Sequence, residues 1–488
     1  MKKTLAFDFG ASGGRAMLGT FDGRRIHLEE VHRFSNDPVI VNGVMYWDVL
    51  RLLFEIKQSL IRVKKYGKVD SLGIDTWGVD FGLLDGRGNL LSNPVHYRDD
   101  RTFGMLNESS KKITPNELYR QTGNQLMELN TLFQILSIKQ NNPEDLDRAK
   151  TLLLMPDLLN YFLTGKKVSE RSIASTTQLY DPYQKNWSRN IMDTFGIPTD
   201  IFMDIVESGT VIGKTTSEIN TELGIDPIHV VAVAGHDTQC AQVAVPAFEK
   251  KFAFLSCGTW SILGTELESP KTDNLALSYN ITNESGFDNK TSFMKNIVGL
   301  WLIQESKRQW AREGYEISFS ELESQAWQAE PFKAFIDPDD PIFGAAGDMP
   351  SRIKDNCKNN GQRIPETVGE IVRTINESLA LKYRLALEEL EECTASSFPA
   401  LYMVGGGIQS DLLCQMTANA IGRPVYAGPV EATVLGNIAI QLMASGNIKS
   451  LSEARTIIRE SQNIKKFIPQ DIEEWQHQFE KYKKEIVK

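Results

Sequence analysis

The sequence predicts an α/β protein built from two domains of duplicated plan. Three observations carry this reading: a glycine-rich hairpin near the start, a second copy of it about half a chain later, and a length of 488 residues, more than one hydrophobic core usually holds. The first hairpin runs from Leu5 to Thr20, LAFDFGASGGRAMLGT. Phe7 and Phe9 flank Asp8 in an apolar strand, and Ala16, Met17 and Leu18 restore strand character after Arg15. Between them lies a tip of small residues. Gly10, Gly13 and Gly14 let the main chain approach a phosphate closely, Ser12 adds a hydroxyl, and Asp8 sits where a carboxylate could hold water on a phosphate-bound Mg²⁺. An ordinary glycine turn is the competing explanation. The second copy, FAFLSCGTWSILGT from Phe252 to Thr265, weakens it, because a repeated plan points to a duplicated architecture with a nucleotide between the halves.

Composition narrows the class. Hydrophobic residues make up 41% of the chain, ample for globular folding, and the net charge of −10 argues against a general nucleic-acid or acidic-membrane surface. Met1-Lys2-Lys3 resembles the start of a signal peptide, but Asp8 interrupts the apolar run too early, and charges punctuate every later apolar stretch. Cys240, Cys257, Cys357, Cys393 and Cys414 form no CxxC pair, which suits reduced thiols in a cytoplasm.

In chain order, Ile26 to Phe34 reads as a third strand. Asp48 caps a helix whose apolar positions are Val49, Leu52, Leu53, Ile56, Leu60 and Ile61. Residues 69 to 91 read as a strand, a polar tip from Asp75 to Asp80, and another strand pair closed at Asp85-Gly86-Arg87-Gly88. The tip places the Trp77 ring between two carboxylates, the usual furniture of a sugar site; a buried tryptophan beside a solvated turn is the alternative. His96 to Arg101 is a charged cluster that could contact a polyol or tie down a loop by ion pairs, the second being the better reading of the cluster alone. Residues 130 to 165 read as helical, broken at Pro143 and Pro156. Ser208 to Thr215 imitates a P-loop, but its glycines are one residue too close and the preceding strand is missing. Ile228 to Ala234 is an apolar strand that delivers Gly235-His236-Asp237-Thr238 at its end, where α/β folds place their chemistry.

The second half opens with the repeated hairpin. Lys295 to Gly299 then leads into a helix carrying Trp301 and Gln304, and a long amphipathic helix follows, marked by Val368, Ile371, Val372, Ile375, Leu379, Leu387 and Leu390. The strand Ala400 to Val404 ends in Gly405-Gly406-Gly407, where a flat ligand such as an adenine could lie against bare backbone. Thr433 to Ser445 is a last apolar helix before a charged surface segment.

Phosphoryl transfer to an alcohol needs cradled phosphates, Mg²⁺ and a carboxylate that takes the hydroxyl proton. Asp237 is the candidate base, with His236 beside it to orient a substrate hydroxyl. No nucleophile elbow, HExxH or dinucleotide fingerprint competes.

Together, DFGASGGR from Asp8, GIDTWGVDF from Gly73, GHDT from Gly235, SCGTWS from Ser256, KNIVGLWLIQ from Lys295, VGGG from Val404 and GPVEATVLGN from Gly428 resemble the FGGY carbohydrate kinase family. The match spans nearly the whole chain in order, and the GIDTWGVDF and GHDT versions resemble those of members acting on L-rhamnulose. The resemblance implies two actin-like domains, each on an RNase H-type sheet, closing on ATP and sugar in a catalytic cleft. It implies transfer from ATP to L-rhamnulose, giving ADP and L-rhamnulose 1-phosphate, with residues 1–246 supplying the sugar site and first phosphate hairpin and 247–488 the adenine side. Carried over by position, Ala11, Ser12, Gly13, Gly14 and Arg15 would cradle ATP phosphates, with Thr259, Gln304 and Gly406 completing the nucleotide site. Gly78, His236, Asp237, Thr238 and Asn296 would line the sugar, Asp237 as proton acceptor, and Asp8 would anchor Mg²⁺, directly or through water. Gly13 stands where relatives often have Ser or Thr, which removes one hydroxyl contact. A kinase for fuculose or xylulose, an actin-like ATPase and a sugar-responsive regulator are the other expectations.

Overall fold

The computed structural model describes residues 1–486. The chain forms two compact units, and neither is a continuous half. The first comprises Met1–Ala244 with Glu266–Phe293 and Ala432–Ser461; the second comprises Val245–Thr265, Met294–Glu431 and Gln462–Lys488.

In the first unit a six-stranded sheet runs in the order Thr210–Lys214, His229–Ala232, Ser71–Thr76, Lys2–Gly10, Gly13–Phe21, Ile26–Ser35. The glycine-rich hairpin is antiparallel, with Asp8 opposite Arg15 and Gly10 opposite Gly13. Its first strand pairs in parallel with Ser71–Thr76, placing Asp8 beside Asp75. Period-2 alternation explains the layers. Leu5, Phe7 and Phe9 enter a core with Val49, Leu52, Ile56 and Leu60 of the Val49–Arg62 helix. The Asp48 side chain caps that helix at Arg51 N, while Ile61, expected on the inner face, is exposed.

The opposite face of the sheet receives the Ala432–Ala444 helix, as the close approach of Ile438 to Gly19 and of Asn437 to Gly73 shows. That helix also packs on Asp237–Val243 with almost no space between backbones: a Cβ added at Gly436 would lie 1.8 Å from Cys240 O. These contacts are why a segment so late in the chain belongs to the first unit.

The stretch from 130 to 165 differs from the all-helical expectation. Helices Thr131–Asn141, Pro143–Arg148 and Met155–Thr164 enclose a buried strand, Thr151–Leu154. Pro143 and Pro156 stand in first turns, where a missing N–H costs nothing, so they start helices rather than break them. The rejected P-loop stretch is the edge strand Thr210–Lys214.

Within a seven-stranded sheet, strands of the second unit follow the order Thr291–Val298, Trp260–Leu267, Ala253–Cys257, Leu401–Val404, Val425–Ala427, Lys465–Phe467. The plan repeats that of the first unit: an antiparallel hairpin, Cys257 opposite Ser261, whose first strand pairs in parallel with a later one, Ser256 beside Val404. The long helix Val368–Thr394 opens with a capping box between Thr367 and Glu370. The charged C-terminal segment is anchored: Trp475, Phe479 and Tyr482 of the Ile472–Glu485 helix are buried.

The Gly436 contact generates a stability prediction. Gly436→Ala should lower the unfolding free energy by about 1–3 kcal/mol, read as a fall in urea midpoint; an unchanged midpoint would show that the two helices can part without cost.

Candidate active site

In the first unit three segments end at one edge of the sheet. Asp8 and Asp75 are register neighbours, and Thr76 N donates to Gly235 O at 2.9 Å, extending the parallel ladder to a bridge between Thr76 and His236. Asp237 follows as the first residue of its helix. The topology therefore gathers the hairpin acid and the GHDT loop, far apart in sequence, at the C-terminal ends of adjacent parallel strands.

The hairpin tip is held from below. Asn36 Nδ2 donates to Gly10 O at 3.0 Å and Asn36 N to Ser12 O at 3.4 Å, so one residue takes up two tip carbonyls. Gly14 admits no side chain, since its Cβ would lie 2.4 Å from the Phe34 ring. Ser12 at the tip is exposed and Ala11 and Gly13 are partly so. Arg15 donates Nε at 3.0 Å and Nη2 at 2.8 Å to the same oxygen of Asp8, so the expected phosphate arginine and the expected Mg²⁺ carboxylate form one ion pair.

Asp75 is fully buried. One oxygen accepts from Asn437 Nδ2 at 2.6 Å, within a chain that continues through Gln441 Nε2 to Asn437 Oδ1 at 2.7 Å and Ser71 Oγ to Gln441 Oε1 at 2.7 Å. Its other oxygen has no hydrogen-bond partner among the described residues. Burial, then the charge of Asp8, pushes the Asp75 carboxyl well above the usual carboxylate range.

The sugar-site reading of the Asp75–Asp80 tip needs correction. Asp80 accepts from Trp47 Nε1 at 2.6 Å, Trp77 Nε1 at 3.0 Å, Tyr97 N at 3.2 Å and Gln134 Nε2 at 2.8 Å, and Trp77 stacks on Trp47 with ring centroids 4.0 Å apart. Trp77, Asp75 and Asp80 are all buried, and Trp77 and Asp80 are committed internally. Burial raises Asp80 to about 6. Gly78 is the partly exposed member of this stretch. Next to it Val79 holds φ at 67°, strained for a β-branched residue, between Thr176 Oγ1, which accepts from Val79 N, and Thr131 Oγ1, which donates to Val79 O. The strained turn is what presents the Gly78 backbone.

His236 is buried, with Nδ1 2.7 Å from Glu284 Oε2 and Nε2 3.5 Å from Asp237 Oδ1. Burial works against its charge, but the Glu284 carboxylate outweighs it and His236 is raised to about 9. Asp237 keeps a side chain 32% exposed and accepts from Thr238 N at 2.6 Å and Thr238 Oγ1 at 3.2 Å. Desolvation raises its carboxyl, and the His236 cation opposes that rise. Glu170 fixes the loop from behind, accepting from Gly235 N at 2.8 Å and Ser172 Oγ at 2.6 Å. No motif announced Glu284 or Glu170, and Asn437 closes the GPVEATVLGN run without a role read for it; each is a buried polar residue whose partner lies far along the chain.

The second unit holds Thr259, Gln304, Gly406 and Asn296. Thr259 Oγ1 donates to Gln304 Oε1 at 3.1 Å, and Trp301 N and Gly299 N both donate to Thr259 O at 3.2 Å, so the Trp301–Arg312 helix begins on the hairpin tip. Asn296 lies in the Thr291–Val298 strand. The three glycines differ in role. Gly405 has φ at 89°, and a Cβ at Gly407 would meet Cys257 Sγ at 2.3 Å, whereas a Cβ at Gly406 meets nothing within 4 Å. Two glycines thus serve the packing of strand on hairpin, and Gly406 alone offers open backbone. Gly407→Ala should therefore lose about 1–3 kcal/mol of stability and Gly406→Ala less than about 0.5, measured by chemical unfolding; equal losses would refute the division.

Known proteins resemble this chain in sequence and in fold. Residues 3–244 match the N-terminal domain, and residues 253–445 the C-terminal domain, of the FGGY family of carbohydrate kinases. A rhamnulokinase of Bacteroides thetaiotaomicron is 42% identical over 96% of each chain. One of Oceanobacillus iheyensis is 40% identical over 94% of this chain and 96% of its own. Among solved structures, a ligand-bound xylulose kinase from Lactobacillus acidophilus superposes with a TM-score of 0.83 at 17% identity, covering 99% of this chain and 97% of the other. Plasmodium falciparum glycerol kinase with ADP gives 0.78 at 18% identity, covering 99% and 97%. These two likenesses establish the fold, and the sequence matches establish the lineage: the chain belongs to the FGGY family of carbohydrate kinases.

Proposed function

We propose that this protein transfers the γ-phosphoryl group of ATP to O1 of L-rhamnulose, giving L-rhamnulose 1-phosphate and ADP, a step in L-rhamnose degradation. The observation that carries the reading is Asp237, a half-buried carboxylate at a strand end beside a cationic His236, in a chain 42% identical to a rhamnulokinase over nearly its full length. The xylulose kinases are likenesses of fold at 17% identity or so, which favours rhamnulose over xylulose. An actin-like ATPase or a regulator would leave the GHDT loop without a task.

In this reading Asp237 accepts the O1 proton, while His236, Thr238, Gly78 and Asn296 orient the ketose. The Ala11–Arg15 tip binds phosphates through backbone N–H groups, with the Gly10 and Ser12 carbonyls engaged by Asn36. Thr259, Gln304 and Gly406 hold the remainder of the nucleotide, Gly406 by its open backbone. Sugar and first phosphate hairpin are assigned to residues 1–246 and the adenine side to residues 247–488, with the stretches Glu266–Phe293 and Ala432–Ser461 of the latter packing in the first unit.

Mg²⁺ suits the residues present. Carboxylate oxygens are its preferred donors, and the unpartnered Oδ1 of Asp75 leaves acceptor capacity beside Asp8. Asp8 would anchor, directly or through water, an ion that arrives with ATP; among the described residues no group of three or more His, Cys, Asp or Glu forms a metal cluster. When bound, the ion offsets phosphate charge. Five cysteines free of disulfides support a cytoplasmic setting, and no described helix is long and apolar enough to cross a membrane.

Two outcomes test the proposal. Asp237→Asn should lower kcat by about 10²–10⁴ with folding intact; near wild-type turnover would remove Asp237 from the role. L-rhamnulose is a 6-deoxy ketose whose one primary hydroxyl is at C1, so a competitor with a hydroxyl at C6 must desolvate it at roughly 1–3 kcal/mol. Under identical Mg-ATP, kcat/KM should be higher for L-rhamnulose than for L-fructose, L-fuculose or D-xylulose; a clear lead for either of the last two would overturn the rhamnulose assignment.

A further inference from the structure

We propose that Glu284 is a positioning residue for phosphoryl transfer: its carboxylate, 2.7 Å from His236 Nδ1, holds the imidazole as a cation whose Nε2 N–H faces Asp237. The inference rests on the reading of Asp237 as proton acceptor. It begins from the Thr282–Ser285 strand, which has no catalytic motif and whose Glu284 is buried. A buried carboxylate is costly unless it is paired and hydrogen-bonded. Glu284 has both partners: His236 Nδ1, and Gln239 Nε2, which donates to the same oxygen at 3.1 Å. Gln239 is itself fixed, its carbonyl oxygen accepting from Ser292 Oγ at 2.5 Å. The carboxylate therefore has one orientation, and it is aimed at the imidazole.

With Nδ1–H given to Glu284, the second N–H of the imidazolium lies at Nε2. Its 3.5 Å separation from Asp237 Oδ1 is too long for a good hydrogen bond, so that N–H is available to an oxygen lying between the two side chains. The ionisable groups facing His236 are Glu284, Asp237 and Glu170, all acidic, and those acting on Asp237 from the neighbouring strands are Asp8 and Asp75. In that acidic surrounding the imidazolium is the nearby cation that keeps the Asp237 carboxylate ionised and ready to take a proton. The His236 value of about 9 accords with this arrangement.

The sign of the effect follows. His236 keeps its charge below its raised value and loses it above. Without the Glu284 carboxylate, burial dominates, the imidazole becomes neutral at lower pH, and Asp237 loses its cationic neighbour across the working range. The test combines ¹³C-histidine titration of the unliganded enzyme, the His236 signal assigned with His236→Gln, and the pH dependence of kcat/KM, for wild type, Glu284→Gln and Glu284→Asp. In wild type His236 should stay protonated through about pH 8. In Glu284→Gln its titration should fall by at least about one unit, and the basic limb of kcat/KM should move with it, giving roughly a ten-fold loss at the alkaline end and less at the acid end. Glu284→Asp should recover most of the shift. A wild-type His236 that titrates below neutrality, an unmoved titration in Glu284→Gln, or an activity loss equal at every pH would each overturn the proposal. Should Glu284→Gln fail to fold, the wild-type and Glu284→Asp titrations still decide. If the wild type phosphorylates no ketose, the functional reading fails while the titration still answers for Glu284.

Discussion

The parallel register between Lys2–Gly10 and Ser71–Thr76 is the constraint on which the first unit's chemistry depends. It sets Asp8 beside Asp75, and the hydrogen bond from Thr76 to Gly235 carries the same edge to His236 and Asp237. A slip of one residue would turn Asp8 into the Phe7 and Phe9 face and break the arrangement, because side chains alternate with period 2. The cost of the register is electrostatic: three acids crowd a low-dielectric edge. Arg15 offsets one and His236 another, while Asp75 accommodates the rest by holding its proton more tightly.

The opposite face of the sheet explains how such a cluster is tolerated. The Ala432–Ala444 helix brings Asn437 and Gln441 under the strands, where their amides donate to one oxygen of Asp75, to Gly73 O and to Leu5 O. The same helix touches the backbone of Asp237–Val243 through Gly436. One segment thus supports both the buried acid and the helix that begins with the proposed base, and it belongs to the first unit for that reason.

Much of this was legible in the sequence. Both hairpins, the GHDT loop after an apolar strand and the cap at Asp48 were read from local patterns, and local patterns are set by backbone geometry that neighbours in sequence decide. The misreadings have one physical source. Trp77 with Asp75 and Asp80 has the composition of a sugar site, yet the strand is covered on both faces and Asp80 is consumed by two indole N–H groups. Composition cannot reveal that a polar group already has its partner. Asn437 meets Asp75 from 362 positions away, and Glu284 meets His236 across 48; neither pairing has a local signature. The glycine run at 405–407 was read as a ligand platform, whereas two of its members are required by Cys257.

The proposed reaction comes down to one chemical event, removal of the O1 proton by Asp237 as phosphorus arrives. The most direct measurement is the product itself: L-rhamnulose labelled with ¹³C, incubated with the enzyme and Mg-ATP, and followed by ¹³C and ³¹P NMR. The account predicts that carbon–phosphorus coupling appears at C1, and it would be contradicted by phosphate on any other carbon or by ADP release without a phosphorylated ketose.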